Sequence, residues 1–338
     1  MECDWLFCCD GDDVTGLGHV GRCLGYAEML ADKGASCVFR GSFNQLALCM
    51  IEGSGFVAIP AQRLGLQRIP MELPVTPTRG VLLDSYQVDA QEIEVIQNQL
   101  LPLRLLLLDD FAKHAVYHCA AVINFTIGAA SLDYPKTMAR LYLGLDFFPA
   151  RRWLRRLRAK RYTRSSQEVC RLLVVAGGRD ICGLNTTILT LLDARWRSCE
   201  VALVLGDDDE TRGALAPLSG RFPNLQVLPS QPNLEHWLDW ADVCLCGGGL
   251  VKYECLFAGV PVASLAQNAG QLQDSAHLAE HGLIANLGSG QQPQWEQAKN
   301  TLSRFMDEAD WREAMRVKGI ASVGGSLGDG GVIPFALR

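Results

Sequence analysis

The hydrophobic positions of this chain fall in short unbroken runs that end abruptly in glycine or acid. Residues 5–9 form one such run, which stops at Asp10-Gly11-Asp12-Asp13 and so reads as a strand followed by a loop. The pattern then changes. Val20, Leu24, Ala27, Met29 and Leu30 recur near helical spacing, and Gly34 ends that segment before a second apolar run at 35–39. Strand, helix and strand in this order make a βαβ unit. Residues 80–84 and 104–110 repeat the apolar strand ending in acid, with a helix predicted over 90–101 between them. In the second half the same kind of run returns at 172–176, 201–206, 225–228 and 243–246, with a helix predicted over 184–192. Runs without alternation are what strands buried on both faces require, so each half is expected to hold a parallel sheet covered by helices.

Between the two strand series lies Arg151 to Arg164, RRWLRRLRAKRYTR, with eight basic residues in fourteen. It is the expected boundary, giving an N-terminal domain 1–150, a basic linker 151–165 and a C-terminal domain 166–338. A chain of 338 residues also exceeds the size at which a single core keeps growing. Charge runs are commonly solvated faces, so the linker is expected to be a solvated helix at the junction rather than a contact with acidic lipid.

Composition narrows the function classes. Hydrophobic residues make up 49% and charged residues 20%, a globular balance, and the net charge of -6 does not suit a protein that tracks a nucleic-acid backbone. The N-terminal residues lack the basic start of a secretory signal and no apolar run reaches the ~20 residues of a membrane span, so a cytoplasmic address is expected, with membrane association disfavoured; a monomer is the separate expectation for oligomeric state. Several of the thirteen cysteines, such as Cys8, Cys170, Cys244 and Cys246, sit inside apolar runs and read as reduced, buried small hydrophobes. Neither Cys8-Cys9 nor Cys244-Leu245-Cys246 has the spacing of a zinc site, and no metal or cofactor is expected.

Three glycine loops stand directly after predicted strands, where open α/β sheets bind ligands. They are Gly16-Leu17-Gly18-His19, Gly177-Gly178-Arg179-Asp180 and Gly247-Gly248-Gly249. Glycine permits close backbone approach, and the helix start beyond it offers unpaired N–H groups to an anion such as a diphosphate. The first loop also spells G-x-G-x-x-G through Gly21, but its acidic lead-in and the Phe39-Arg40 at the end of the next strand depart from the dinucleotide fingerprint; an arginine there can hold a 2′-phosphate, so a dehydrogenase stays open as the weaker alternative.

From Asp10 through Gly16, Gly18, His19 and Arg22 the sequence resembles the UDP-sugar hydrolase of pseudaminic acid biosynthesis, whose N-terminal motif is Asp-x(5)-Gly-x-Gly-His-x-x-Arg. Leu83-Asp84-Ser85-Tyr86 is similar to that family's strand-Asp-x-Tyr element, Leu108-Asp109-Asp110 with Val122-Ile123-Asn124 to its next strands, and Gly177-Gly178-x-Asp180 with Asn185 to its Gly-Gly-x-Asp loop. Gly248-Gly249-Leu250-Val251-Lys252-Tyr253-Glu254 is similar to the nucleotide-binding element shared with the glycosyltransferase that makes lipid II. The resemblance spans most of residues 5–285 in order. It implies a GT-B fold, two Rossmann-like domains with parallel sheets facing a central cleft, with UDP resting on the C-terminal domain and the sugar facing N-terminal loops.

The implied reaction is hydrolysis of a UDP-sugar at the anomeric C–O bond, releasing UDP and a free 2,4-diacetamido-2,4,6-trideoxyhexose with inversion. His19 is the implied acid/base, since imidazole exchanges protons near neutral pH. Tyr86 and Asn268 complete the implied catalytic set. Asp10, Gly16, Gly18, Arg22, Gly177, Gly178, Asn185, Gly248, Gly249, Leu250, Glu254 and Gln271 are the implied substrate-binding set, with Arg22 set toward the diphosphate or in a surface ion pair, and Glu254 on the ribose. The sequence departs from the family at Gln267-Asn268-Ala269-Gly270-Gln271, where relatives carry adjacent Asn-Gln. It departs again at Cys8, where relatives have Arg, and at Leu250-Val251, where relatives have hydroxyls, so that phosphate contacts are expected to lean on backbone N–H groups and Lys252. A UDP-sugar-dependent GT-B glycosyltransferase and a noncatalytic nucleotide-sugar binder are the alternatives.

Overall fold

A computed structural model of the chain describes residues 2–63, 75–135, 139–162, 168–177, 180, 183–192, 194–205 and 220–324. These form two compact units, one from the N-terminus through Arg152 with Gly324 returning to it, the other Trp153–Val323.

The first unit carries strands β1 (Glu2–Cys9), β2 (Cys37–Gly41), β3 (Val57–Pro60), β4 (Thr76–Asp84), β5 (Arg104–Leu108), β6 (Ala121–Asn124) and β7 (Arg140–Leu143), and helices α1 (Gly18–Ala31), α2 (Gln45–Gly53) and α3 (Ala90–Leu100). Its described strands form one parallel sheet ordered β3-β2-β1-β4-β5-β6-β7. The unbroken apolar runs are explained by side chains alternating between two cores. Trp5, Phe7, Phe39, Leu82 and Leu106 join α1 and α2 on one face, while Leu6, Val38, Leu83, Leu105 and Leu107 join Ile93 and Ile96 of α3 on the other. Phe7 stacks on Phe39 with ring centroids 5.1 Å apart. Truncating a leucine so enclosed costs about 2–5 kcal/mol. The helices are fixed locally as well. Asn44 accepts from Ala47 N to cap α2, and Asp89 and Glu92 form a reciprocal capping box on α3.

The basic segment is α4 (Arg152–Arg161), and it is not simply solvated. Trp153, Leu154 and Leu157 are buried. Arg158 donates to the carbonyls of Val323 and Ile320 at 2.8 and 2.7 Å and lies over the Phe257 ring, Arg161 donates to Asp239 O, and Arg156 and Lys160 pair with Glu235 and Asp239. Arg151 and Arg152 instead serve the first unit, on Ser54 and on Asp32. The apolar stripe and the carboxylates facing it turn the expected linker into a packed element.

The second unit holds β8 (Arg171–Val175), β9 (Glu200–Val204), β10 (Leu225–Leu228), β11 (Val243–Gly247), β12 (Val262–Ala266) and β13 (Ala285–Ser289). Its described helices beyond α4 are α5 (Leu184–Leu191), α6 (Glu235–Trp240), α7 (Val251–Ala258), α8 (Ala269–Glu280), α9 (Trp295–Asp307) and α10 (Ala309–Ser322). The sheet is again parallel, ordered β10-β9-β8-β11-β12-β13. Both sheets therefore reverse their winding between the first and fourth strands of the unit, at β1/β4 and at β8/β11. Such a switch point opens a crevice beyond the carboxyl ends of the strands. No described helix is long and apolar enough to cross a membrane.

Candidate functional site

At the switch point of the first sheet, the loop after β1 is built by its own acids. Asp10, buried, accepts from Ser42 N at 2.9 Å and so ties the loop to the end of β2. Asp12 accepts from Val14 N and Thr15 N at 3.0 and 2.8 Å and from Arg63 Nε at 2.8 Å. Gly16, at φ +77°, sits in the left-handed region that the turn into α1 demands. α1 then begins at Gly18 with no side chain capping its first N–H groups. Open space lies beside the Cα of both Gly16 and Gly18.

α1 places His19 and Arg22 on one face, one turn apart, against the end of β4. There Asp84, with no exposed surface, accepts from His19 Nδ1 at 2.6 Å, Arg22 Nε at 2.6 Å and an Arg22 terminal nitrogen at 2.5 Å. Burial pushes the Asp84 carboxyl up, but Arg22 and His19 outweigh it and hold the group below the ordinary carboxylate range. Asp84 is thus ionised and can only accept. His19 must then carry its proton on Nδ1, which leaves the Nε2 lone pair as the basic site of the neutral ring. The other contact to Nδ1, from Arg22 at 3.4 Å, is too long to compete.

Arg22 is neither a surface ion pair nor free to meet a diphosphate. It is buried, and its remaining terminal nitrogen donates to Asp110 at 2.5 Å. Burial works against its charge, but Asp110 and Asp84 reverse that and raise its pKa well above the usual value. Asp110 also accepts from the Tyr86 hydroxyl at 2.5 Å, and Tyr86 meets the His19 ring edge-on with centroids 4.6 Å apart. The phenol donates to Asp110 and therefore carries its proton. The structure thus joins two expected residues, His19 and Tyr86, through carboxylates that spacing alone does not single out. The available signals for Asp84 were its place at the end of the apolar run 80–84 and the resemblance of Leu83-Asp84-Ser85-Tyr86 to a strand-Asp-x-Tyr element.

In the second unit the glycine loops also flank the switch point. Gly177 lies at φ +114°, and Asp180 caps α5 by accepting from Leu184 N and Asn185 N. Asn185 is buried, and its Oδ1 accepts from Ala176 N at 3.1 Å, so it fastens the loop. Gly178 lies outside the described residues. At the end of β11 only glycine fits position 247, since a Cβ there would stand 2.1 Å from Ala176 O. Gly248 backs onto Gln271, whereas Gly249 borders open space, and Leu250 leads into α7 with Glu254 in its first turn, half-buried.

Lys252 corrects the expectation of a phosphate-binding amine. Its side chain is only 1% exposed, donates to Gly248 O and pairs with Asp274 at 2.8 Å, because the helix turns it inward beneath the loop. Asn268 is the exposed N-cap of α8, accepting from Gln271 N at 2.9 Å, and Gln271 accepts from Gln267 N at 2.9 Å. Both side chains hold the β12–α8 turn. Gln267, absent from the expected set, reaches across to Ala176 O at 3.0 Å and links the two glycine loops. Among the described residues no group of three histidines, cysteines or acids is placed to hold a metal.

No protein-family model matches the chain. Over 324 residues it is 24% identical to the spore coat polysaccharide biosynthesis protein SpsG of Bacillus subtilis (strain 168), covering 94% of this chain and 93% of that protein. It is 23% identical over 270 residues to the uncharacterized protein MJ1062 of Methanocaldococcus jannaschii, covering 77% of this chain and 54% of that one. Among solved structures, MurG of Acinetobacter baumannii and LpCGTa in complex with UDP each match with a TM-score of 0.60 at 14% identity over 96% of both chains. The strand orders and these matches together establish the architecture: the chain has the GT-B fold, built of two parallel-sheet Rossmann-like α/β units.

Proposed function

We propose that the chain hydrolyses a UDP-sugar at the anomeric C–O bond. The observation that carries the reading is the Asp84–His19 pair at the switch point of the first sheet, which leaves Nε2 as a proton acceptor. In the reaction, Nε2 takes a proton from water and the oxygen attacks the anomeric carbon from the face opposite the diphosphate. The bond from that carbon to the UDP oxygen breaks, UDP leaves with the electron pair, the sugar is inverted, and the imidazolium returns its proton to solvent. Asp84 offsets the charge that forms on the ring. Tyr86, protonated, bears on His19 and orients it.

The nucleotide is assigned to the second unit, with Gly248, Gly249 and the N–H groups opening α7 at the diphosphate and Glu254 as acceptor for the ribose hydroxyls. Support comes from SpsG, whose name places it in polysaccharide biosynthesis, and from LpCGTa, solved with UDP. The proposed substrate is UDP-2,4-diacetamido-2,4,6-trideoxy-β-L-altrose, in nonulosonic acid biosynthesis.

The test is incubation with that UDP-sugar while UDP is measured, with no acceptor added. UDP should appear, and His19→Ala should slow its release by about 10²- to 10⁴-fold, the range a positioned base supplies. UDP release that begins only when an acceptor is added would make the protein a transferase, and unchanged release by His19→Ala would refute the assigned base.

A further inference from the structure

Beside the His19–Asp84 pair the first unit exposes two aromatic rings in contact. Tyr86 shows 42% of its surface and Phe111 49%, and their centroids are 5.2 Å apart with planes inclined by 54°. A single exposed apolar side chain needs no explanation, but two in contact beside a buried polar cluster do. Both follow parallel strands, Tyr86 after β4 and Phe111 after β5, at the ends where ligands bind in sheets of this kind.

The backbone of each loop is held from behind. The buried Asp109 carboxylate accepts from Phe111 N at 2.9 Å, from Lys113 N at 3.3 Å and from the Tyr117 hydroxyl. Lys113 Nζ donates to Tyr86 O at 2.7 Å and ties the two loops together. Between them Ala112 is held at φ +51°, a left-handed conformation that a residue with a Cβ disfavours and that persists only where surrounding contacts impose it. The Tyr86 ring is itself fixed by His19 on one edge and by Asp110 at its hydroxyl. The two aromatic surfaces are therefore set before a ligand arrives, which removes the ordering cost that flexible side chains would bring to binding.

We propose that Tyr86 and Phe111 form a preorganised shelf for the sugar of the nucleotide-sugar, and that Phe111 sets specificity by stacking on the apolar C–H face and methyl substituents of that sugar. The inference rests on the functional reading above and adds a residue to it. The negative π face of an aromatic ring attracts polarised C–H groups and repels an anion. A sugar bearing a carboxylate would lose hydration against that face and would lie close to Asp110 as well.

The experiment measures binding by calorimetry on the full chain in a His19→Asn background, chosen to halt turnover, with UDP and UDP-2,4-diacetamido-2,4,6-trideoxy-β-L-altrose as probes. UDP-glucuronate serves as the charged comparison. Phe111→Ala should weaken the diacetamido sugar nucleotide by about three- to tenfold, the range of an aromatic contact, and leave UDP and UDP-glucuronate unchanged. Phe111→Trp should restore the difference, which also shows that loss in the alanine variant is not misfolding. The shelf is overturned if Phe111→Ala weakens UDP and the sugar nucleotide equally, or weakens neither. The two ideas part cleanly. A sugar-dependent gain lost with Phe111, in a protein that releases no UDP, keeps the shelf and discards hydrolysis. UDP release together with a gain indifferent to Phe111 does the reverse.

Discussion

Asp84→Asn is the substitution that tests the site most directly, because it keeps shape and removes only charge and one acceptor. In the native arrangement Oδ1 of Asp84 takes two donors, His19 Nδ1 and an Arg22 terminal nitrogen, while Oδ2 takes Arg22 Nε. An asparagine therefore keeps its oxygen at the first position and turns its NH₂ toward Arg22 Nε, donor against donor. One charged hydrogen bond is lost, worth about 1.5–3 kcal/mol, and Arg22 keeps Asp110 as its one carboxylate partner among those described. We expect a total loss of about 2–4 kcal/mol, a range centred below the ~3–5 kcal/mol of breaking a buried pair outright. His19 keeps its tautomer but loses the anion that stabilises its protonated form, so UDP release should fall by roughly 10²-fold, the low end of what base catalysis supplies. The pH dependence follows from the depressed native carboxyl. Its stabilisation is complete above the unfolded value of about 3.9 and is lost as pH falls through the lower native value, so the wild type should lose more stability in acid than the variant and the gap between them should narrow. Urea denaturation followed by circular dichroism at several pH values, with the UDP assay at neutral pH, reads both quantities. Release within about threefold of wild type would show that Asp84 does not prepare His19.

Two further expectations concern stability and thiol chemistry. Lys252→Met leaves Asp274 without its buried cation and Gly248 O without its donor, so the urea midpoint should drop by the equivalent of about 3 kcal/mol, with part recovered in the Lys252→Met/Asp274→Asn double variant; an unmoved midpoint would contradict the buried pairing. Burial pushes the Cys8 and Cys37 thiols up to about 12, whereas Cys170, expected from its apolar neighbours to be buried, is exposed because it precedes β8; iodoacetamide followed by mass spectrometry should therefore label Cys49 and Cys170 in the native protein and reach Cys8 and Cys37 only in urea, and native labelling of Cys8 would contradict the burial of β1.

Much of the architecture was legible in the chain. Unbroken runs such as residues 80–84 and 243–246 announced strands covered on both faces, and the glycines after them marked the ends where the loops turn. Strands whose runs are short or carry polar residues were harder to read: β3, two residues of which are exposed, and β13, three of whose five residues are not fully buried, present no clear pattern. The basic stretch at 151–164 illustrates a different limit. Its charge was plain, but the carboxylates and carbonyls that engage it come from residues 235, 239, 320 and 323, far along the chain. Composition cannot show such partners.

The site divides along the same line. The sequence alone determined that Gly16, Gly18 and His19 stand where a strand gives way to a helix, since that follows from local hydrophobic period and from glycine's conformational freedom. Only the tertiary structure decided which groups surround His19. Asp84 and Asp110 lie 62 and 88 residues from Arg22, and they meet it because the parallel sheet sets β1 beside β4 and β4 beside β5. Likewise, the inward turn of α7 made Lys252 a buried strut and not a phosphate ligand. Local spacing governs which residues begin a helix; the order of strands governs which charges are buried together, and burial is what gives those charges their chemistry.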